Sequence, residues 1–130
     1  MFRDVSKRRT TTKVLGKEVQ IPIGISPMGF QRVVDNDGEV ATAKAVAEAG
    51  GIFTLSTFAT YSIEEIGEAI PEGRKWLQLF IFSNKAIVES LIRRAEKAGF
   101  EAIVITVDGQ AVGKRRKNAR KPFKLPSHLK

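Results

Sequence analysis

At 130 residues, 42% of them hydrophobic and 28% charged, the chain is long and apolar enough for one ordinary domain with a real core, and its balance excludes a disordered tract. It holds no cysteine, which excludes disulfides, a thiol nucleophile and thiolate metal sites. The net charge of +8 is uneven: residues 1–17 carry six Lys/Arg against one acid, residues 102–130 carry eight against one, and the middle carries twelve acids against eight bases.

No apolar run approaches the roughly 20 residues of a membrane helix. The start, MFRDVSKRRTTT, has basic residues but no apolar segment behind them, so no signal peptide or other targeting signal is expected. VLGKEVQIPIGIS then reads as a short hairpin or extended lead-in followed by a first strand, 21–26. Pro27 and Gly29 in PMGF break that strand. Asp35, Asn36 and Asp37 precede a helical run, GEVATAKAVAEAG, in which Val40, Ala43 and Ala47 share a face. Gly50 and Gly51 suit its carboxyl end.

A second strand is expected at 52–56. Ser62 and Glu65 have the spacing of a capping box ahead of the helix IEEIGEAI. Pro71-Glu72-Gly73 is a turn, and a third strand covers 75–81. Asn84 suits the cap of a third helix, KAIVESLIRRAEKAG, with Ile87, Val88, Leu91, Ile92 and Ala95 as its apolar face and Glu89 and Arg93 as an i,i+4 pair. The fourth strand, AIVITVD at 102–108, is apolar almost throughout, as in a strand covered on both faces.

The order is β-α-β-α-β-α-β, with crossovers of about 20 residues, enough for right-handed βαβ units. Each apolar run ends in or just before a small polar residue: Ser26, Ser56, Gln78 and Thr106. In parallel β/α proteins the carboxyl ends of the strands face the site, so these residues mark where one lies. Half of a (β/α)₈ barrel and a four-stranded flavodoxin-like sheet both fit the pattern. No GxGxxG follows the first strand, which argues against a dinucleotide-binding domain.

Several motifs, in order along nearly the whole chain, resemble one family. They are RDVSKRRTTTKVLGKEVQIPIGISP, DGEVATAKAVAEAG, TLSTFAT, LIRRAEKAG, ITVD and FKLPSHL. The family is the FMN-dependent α-hydroxy acid oxidases, of the glycolate oxidase and 2-hydroxyacid oxidase kind. The resemblance implies half of a (β/α)₈ TIM barrel over residues 1–130, with four parallel strands alternating with three helices and a basic tail at 114–130. It implies FMN as cofactor, a small 2-hydroxy acid as substrate, oxygen as electron acceptor, and the 2-oxo acid and hydrogen peroxide as products. Pro27, Met28 and Gly29 match the turn that touches the flavin near N5. Ser56, Gln78 and Thr106 match residues that hydrogen-bond the isoalloxazine ring; an amide and two hydroxyls suit its donor and acceptor edge. Arg115 matches an arginine that helps bind the substrate carboxylate. Phe58 and Phe80 fall on the substrate side.

The chain departs from the family pattern at several of these positions. Phe58 stands where many members have tryptophan, and Phe80 where they have a tyrosine whose hydroxyl contacts the substrate. Met28-Gly29 replaces a Thr-Ala pair, and GQAVG (109–113) replaces a TPxxG turn. The family's base histidine, its second arginine, its lysine near flavin N1 and its phosphate loops match nothing in this chain. His128 aligns with a loop position and not with that base. The expectation is therefore an oxidase sequence truncated at both ends, with no catalytic residue of its own and no metal site.

Two other readings stand beside it. One is a non-catalytic fragment or half-barrel, whose open sheet edges need another copy or a completing chain. The other is a polyanion-binding module built on KRRKNARKPFK (114–124). Against nucleic acid, only Phe123 interleaves with the basic residues there. No membrane partner is expected. The resemblance implies a peroxisomal protein, otherwise a cytoplasmic one. Ser127-His128-Leu129 is like a peroxisomal tripeptide but is followed by Lys130.

Overall fold

The computed structural model describes residues 4–109, 113–122 and 124–129. β1 (Thr12–Val14) and β2 (Lys17–Val19) form an antiparallel hairpin in which Val14 faces Lys17 across a two-residue loop. Leu15 and Gly16 both take positive φ, 49° and 76°, as a tight turn between twisted strands requires.

Four parallel strands follow and pair in chain order: β3 (Gly24–Ile25), β4 (Ile52–Leu55), β5 (Lys75–Leu79) and β6 (Ala102–Ile105). Helices α1 (Gly38–Glu48), α2 (Ile63–Ala69) and α3 (Lys85–Lys97) fill the three crossovers. This is the expected half-barrel order. A five-residue helix, α4 (Arg116–Arg120), is added in the basic tail, which the sequence presents only as a charge run.

Strand register divides the side chains between two faces. Leu55 pairs with Leu77 and Leu77 with Ile103, so these residues point together toward the helices. There Phe53, Leu55 and Leu77 pack with Ala43, Ile63, Ile66, Ile70, Ala95 and Phe100 in the core. Burying each large side chain contributes about 1.5–3 kcal/mol. Thr54, Trp76 and Ala102 pair on the other, concave face, with Gln78 beside Val104.

The caps follow the local sequence. Ser62 Oγ accepts from the Glu65 amide, and the Glu65 carboxylate accepts from the Ser62 amide, so the capping box is complete. Asn84 Oδ1 accepts from the Ala86 amide at 3.0 Å. Glu89 and Arg93 pair at 2.6 Å. Asp37 caps α1 by position alone, without a side-chain bond.

Two cationic residues anchor the amino ends of the strands. Lys75, fully buried, donates to the carbonyls of Ile70, Pro71 and Gly73 at 2.9, 3.0 and 3.3 Å. Arg74 donates to Val14 O at 3.0 Å and pairs with Glu101, which also takes Lys17 Nζ at 2.8 Å. The hairpin is thus pinned beneath β5 and β6.

Three expectations need correction. The first strand is two residues long rather than six, because Pro22 has no amide hydrogen to give to the ladder and pairing starts at Gly24. β6 is not covered on both faces: among the described residues it is one of the two sheet edges, and Ile105 at its end and Val107 beyond it are 52% and 79% exposed. Ile87 does not join the apolar face of α3 and is 48% exposed, while Val88 and Ala95 are buried.

Candidate functional site

Three polar side chains line the carboxyl ends of the central strands. Gln78, near the end of β5 and 3% exposed, is the hub. Its Oε1 accepts from the Thr57 amide at 2.9 Å, and its Nε2 donates to Thr106 Oγ1 at 2.8 Å. The Thr57 hydroxyl donates to Gln78 O at 2.7 Å, which closes the loop after β4 onto β5. The Thr106 amide donates to Leu79 O at 3.1 Å, carrying the ladder one step past β6. Ser56 Oγ accepts from the Phe58 amide at 3.1 Å.

These bonds satisfy local backbone, yet they leave donor capacity. Among the described residues, the hydroxyl protons of Ser56 and Thr106 and the second Nε2 proton of Gln78 have no acceptor. The structure therefore brings Gln78 and Thr106 into contact and sets Ser56 on the neighbouring strand end, as the spacing suggests.

The Pro27-Met28-Gly29 turn leaves β3 and meets the loop after β4. A Cβ on Gly29 would lie 2.9 Å from the Phe58 carbonyl oxygen, so only glycine lets the two loops approach this closely. The Phe30 amide donates to that same oxygen at 3.0 Å. Met28 is exposed.

An aromatic row continues from this contact. The rings of Phe30 and Phe58 stack with centroids 6.2 Å apart and planes 10° from parallel. Phe58 and Phe80 lie 5.5 Å apart, tilted by 38°. The two phenylalanines expected on the substrate side are thus neighbours, and Phe30 extends them. Phe30 had no signal of its own in the sequence beyond its place after a turn.

The remaining candidates are less gathered. Arg115 is exposed at the start of α4, and among the described residues its side chain makes no hydrogen bond or ion pair. Residues 110–112 of the GQAVG turn, Phe123 and the His128 side chain lie outside the described residues. Among the described residues there is no cluster of groups able to hold a metal ion, and no helix is long and apolar enough to cross a membrane.

Sequence reasoning missed Glu39. It is fully buried in the first turn of α1 and accepts hydrogen bonds from Gln31 and Thr60 in two different loops. An acid at that place reads as a complement to the helix dipole, and nothing local marks it as buried. On the concave face, Trp76, Thr54 and Val104 line an open groove of about 370 Å³ with Ile21 and Ile23, and among the described residues the buried Trp76 Nε1 has no partner.

The sequence and the fold are similar to those of known proteins. The chain is 46% identical over 126 residues to glycolate oxidase 1 of Zea mays, covering 97% of this chain and 34% of that protein. It is 42% identical over 130 residues to 2-hydroxyacid oxidase 1 of Homo sapiens, covering 100% and 35%. Among solved structures, mandelate oxidase with (S)-2-phenylpropionate superposes with a TM-score of 0.88 at 37% identity, over 98% of this chain and 37% of that one. The chain spans about a third of the length of these relatives. The model of the FMN-dependent dehydrogenases matches residues 1–130, and with the parallel half-barrel and its polar strand ends this places the chain in that FMN-using family.

Proposed function

We propose that the chain supplies the flavin-ring and substrate-facing half of an FMN-dependent (S)-2-hydroxy-acid oxidase, carried as one domain over residues 1–130. The observation that carries this reading is the line of Ser56, Gln78 and Thr106 at the strand ends, with three donor protons unspent among the described residues and a phenylalanine row nearby. That donor set fits the carbonyl and nitrogen edge of an isoalloxazine pyrimidine. When bound, FMN accepts a hydride equivalent from the 2-hydroxy acid, and oxygen takes the electrons on to hydrogen peroxide.

The chain's own residues would bind and orient. Ser56, Gln78 and Thr106 hold the ring edge, and Gln78 is kept in one rotamer by its bonds to Thr57 and Thr106. The Pro27-Met28-Gly29 backbone would contact the ring. Phe58 and Phe80 exclude water from the substrate side but have no group to donate to a substrate oxygen. Arg115 offers a planar cation to the substrate carboxylate. None of the rim side chains Ser56, Gln78, Thr106, Phe58 and Phe80 is a base at neutral pH, so the acceptor for the hydroxyl proton belongs to the rest of a full-length oxidase. Peroxisomal residence and assembly with a completing chain or a second copy are parts of the same reading.

The test is FMN titration of the purified chain, read by the flavin absorption that remains after free cofactor is removed. Gln78→Ala is expected to weaken retention at least about tenfold, the worth of one lost charge-free hydrogen bond plus its orphaned partner. Unchanged affinity in Gln78→Ala would count against these ring contacts.

A further inference from the structure

We propose that Glu39 is a positioning residue of the rim: its buried carboxylate ties the loop after β3 to the loop after β4 and so sets how the Pro27–Gly29 turn meets Phe58. The functional consequence rests on the flavin-site reading above; the geometry does not.

Glu39 Oε1 accepts from the Gln31 amide at 3.1 Å and from the Thr60 amide at 2.9 Å, and Oε2 accepts from the Thr60 hydroxyl at 2.5 Å. Its partners are 8 and 21 residues away in sequence. An acid that only complemented the helix dipole would stay in solvent near its own helix's amides. Glu39 instead is 0% exposed, and all three bonds leave the helix for two separate loops. Burying a carboxylate without a paired cation is costly, and these charge-assisted bonds offset that cost only while both loops stay in place.

The network extends in both directions. The Gln31 side chain donates to Met28 O at 3.3 Å and accepts from the Thr42 hydroxyl at 2.6 Å. Thr60 Oγ1 also accepts from the Arg32 amide at 3.2 Å. One continuous chain of bonds therefore runs from Met28, through Gln31 and Glu39, to Thr60, two residues past Phe58. It brackets the Phe30–Phe58 backbone bond and the Gly29–Phe58 contact. Rim groups held this way are set before any ligand arrives, which is where second-layer bonds act on binding.

The experiment uses the full chain with Glu39→Gln, Thr60→Val and, as a surface control, Glu89→Gln. Amide hydrogen exchange at Phe30 and Thr60 is measured alongside α3, and FMN itself is titrated with its visible spectrum recorded. Glu39→Gln and Thr60→Val are expected to speed exchange at Phe30 and Thr60 at least about tenfold with α3 unchanged. FMN affinity falls between about tenfold and a hundredfold, with a shifted flavin band. Glu89→Gln changes neither. Unaltered exchange at Phe30 in both variants overturns the proposal, and so do loosened loops with unaltered FMN affinity and spectrum. If the unmutated chain takes up no FMN, the flavin-site reading fails for this chain, and the exchange data alone decide whether Glu39 sets the loop contact.

Discussion

Gly29 and Gly113 sit in loops on the same chain but under opposite constraints. A Cβ at Gly29 would meet the Phe58 oxygen at 2.9 Å and the Phe58 Cβ at 3.1 Å, whereas one at Gly113 meets nothing within 4 Å. Gly29→Ala must therefore push the two rim loops apart. Its expected cost is about 1–3 kcal/mol, as for other overpacked contacts, while Gly113→Ala stays near neutral. Urea denaturation of the two variants separates them, and equal midpoints would show that the loop contact yields freely. Phe80 stands under another constraint: its ring packs on Phe58 and within 3.3 Å of where a Gly109 Cβ would be. That packing holds the ring at the rim without any hydroxyl to anchor it.

At the level of elements, α2 and α3 are joined by one two-toothed contact. Arg94 Nε and Nη2 each reach a different Glu64 oxygen at 2.7 Å. The hydrogen bonds from Arg94 hold the Glu64 carboxyl well below its ordinary 4.5, at about 2. A carboxyl lowered in the folded state adds stability that is complete above its unfolded value and is lost as pH falls from 4.5 toward 2. Both side chains are nearly half exposed, so solvent screening holds the contribution to at most about 1 kcal/mol. The expected result is that Arg94→Ala lowers stability at pH 7 by no more than that, and that the difference from the unmutated chain vanishes near pH 2. An NMR titration of Glu64 checks the same point directly.

The elements also show what a sequence discloses. The helices and their caps were legible because their determinants are local: Ser62 and Glu65, or Asn84 and Ala86, meet within one turn whatever surrounds them. The placement of Gln78 and Thr106 toward strand ends was legible too, since each is a polar residue that interrupts or closes an apolar run. Glu39 was not, because its partners arrive from loops that only the assembled sheet brings together. The exposure of Ile105 and Val107 was hidden for the same reason. An apolar run looks identical in a covered strand and in one at an open edge.

For the molecule as a whole, the hairpin and the half-barrel meet through Glu101. Burial pushes its carboxyl up, but hydrogen bonds from Arg74 and Lys17 and their charges outweigh that, so it lies below the ordinary range. The contact is complete above the ordinary carboxylate range and weakens as pH falls below it. Acid should release Lys17 of β2 from Glu101 and so loosen the hairpin while α1–α3 persist, and Glu101→Gln should mimic that at neutral pH. Exchange at the hairpin amides, followed from pH 6 to 3, reports it; a hairpin that stays protected until the helices melt would refute it.

The pairing of β3, β4, β5 and β6 in the order of the chain bears on how the protein comes to exist. Among the described residues, each strand of the parallel sheet after β3 pairs with the one made before it, about 25 residues upstream. As synthesis proceeds from the amino end, each helix-strand unit docks onto an edge that is already built, and the newest strand becomes the next edge. Growth of this kind resembles the laying of courses in a wall, with β6 offering the face on which a later one would be set.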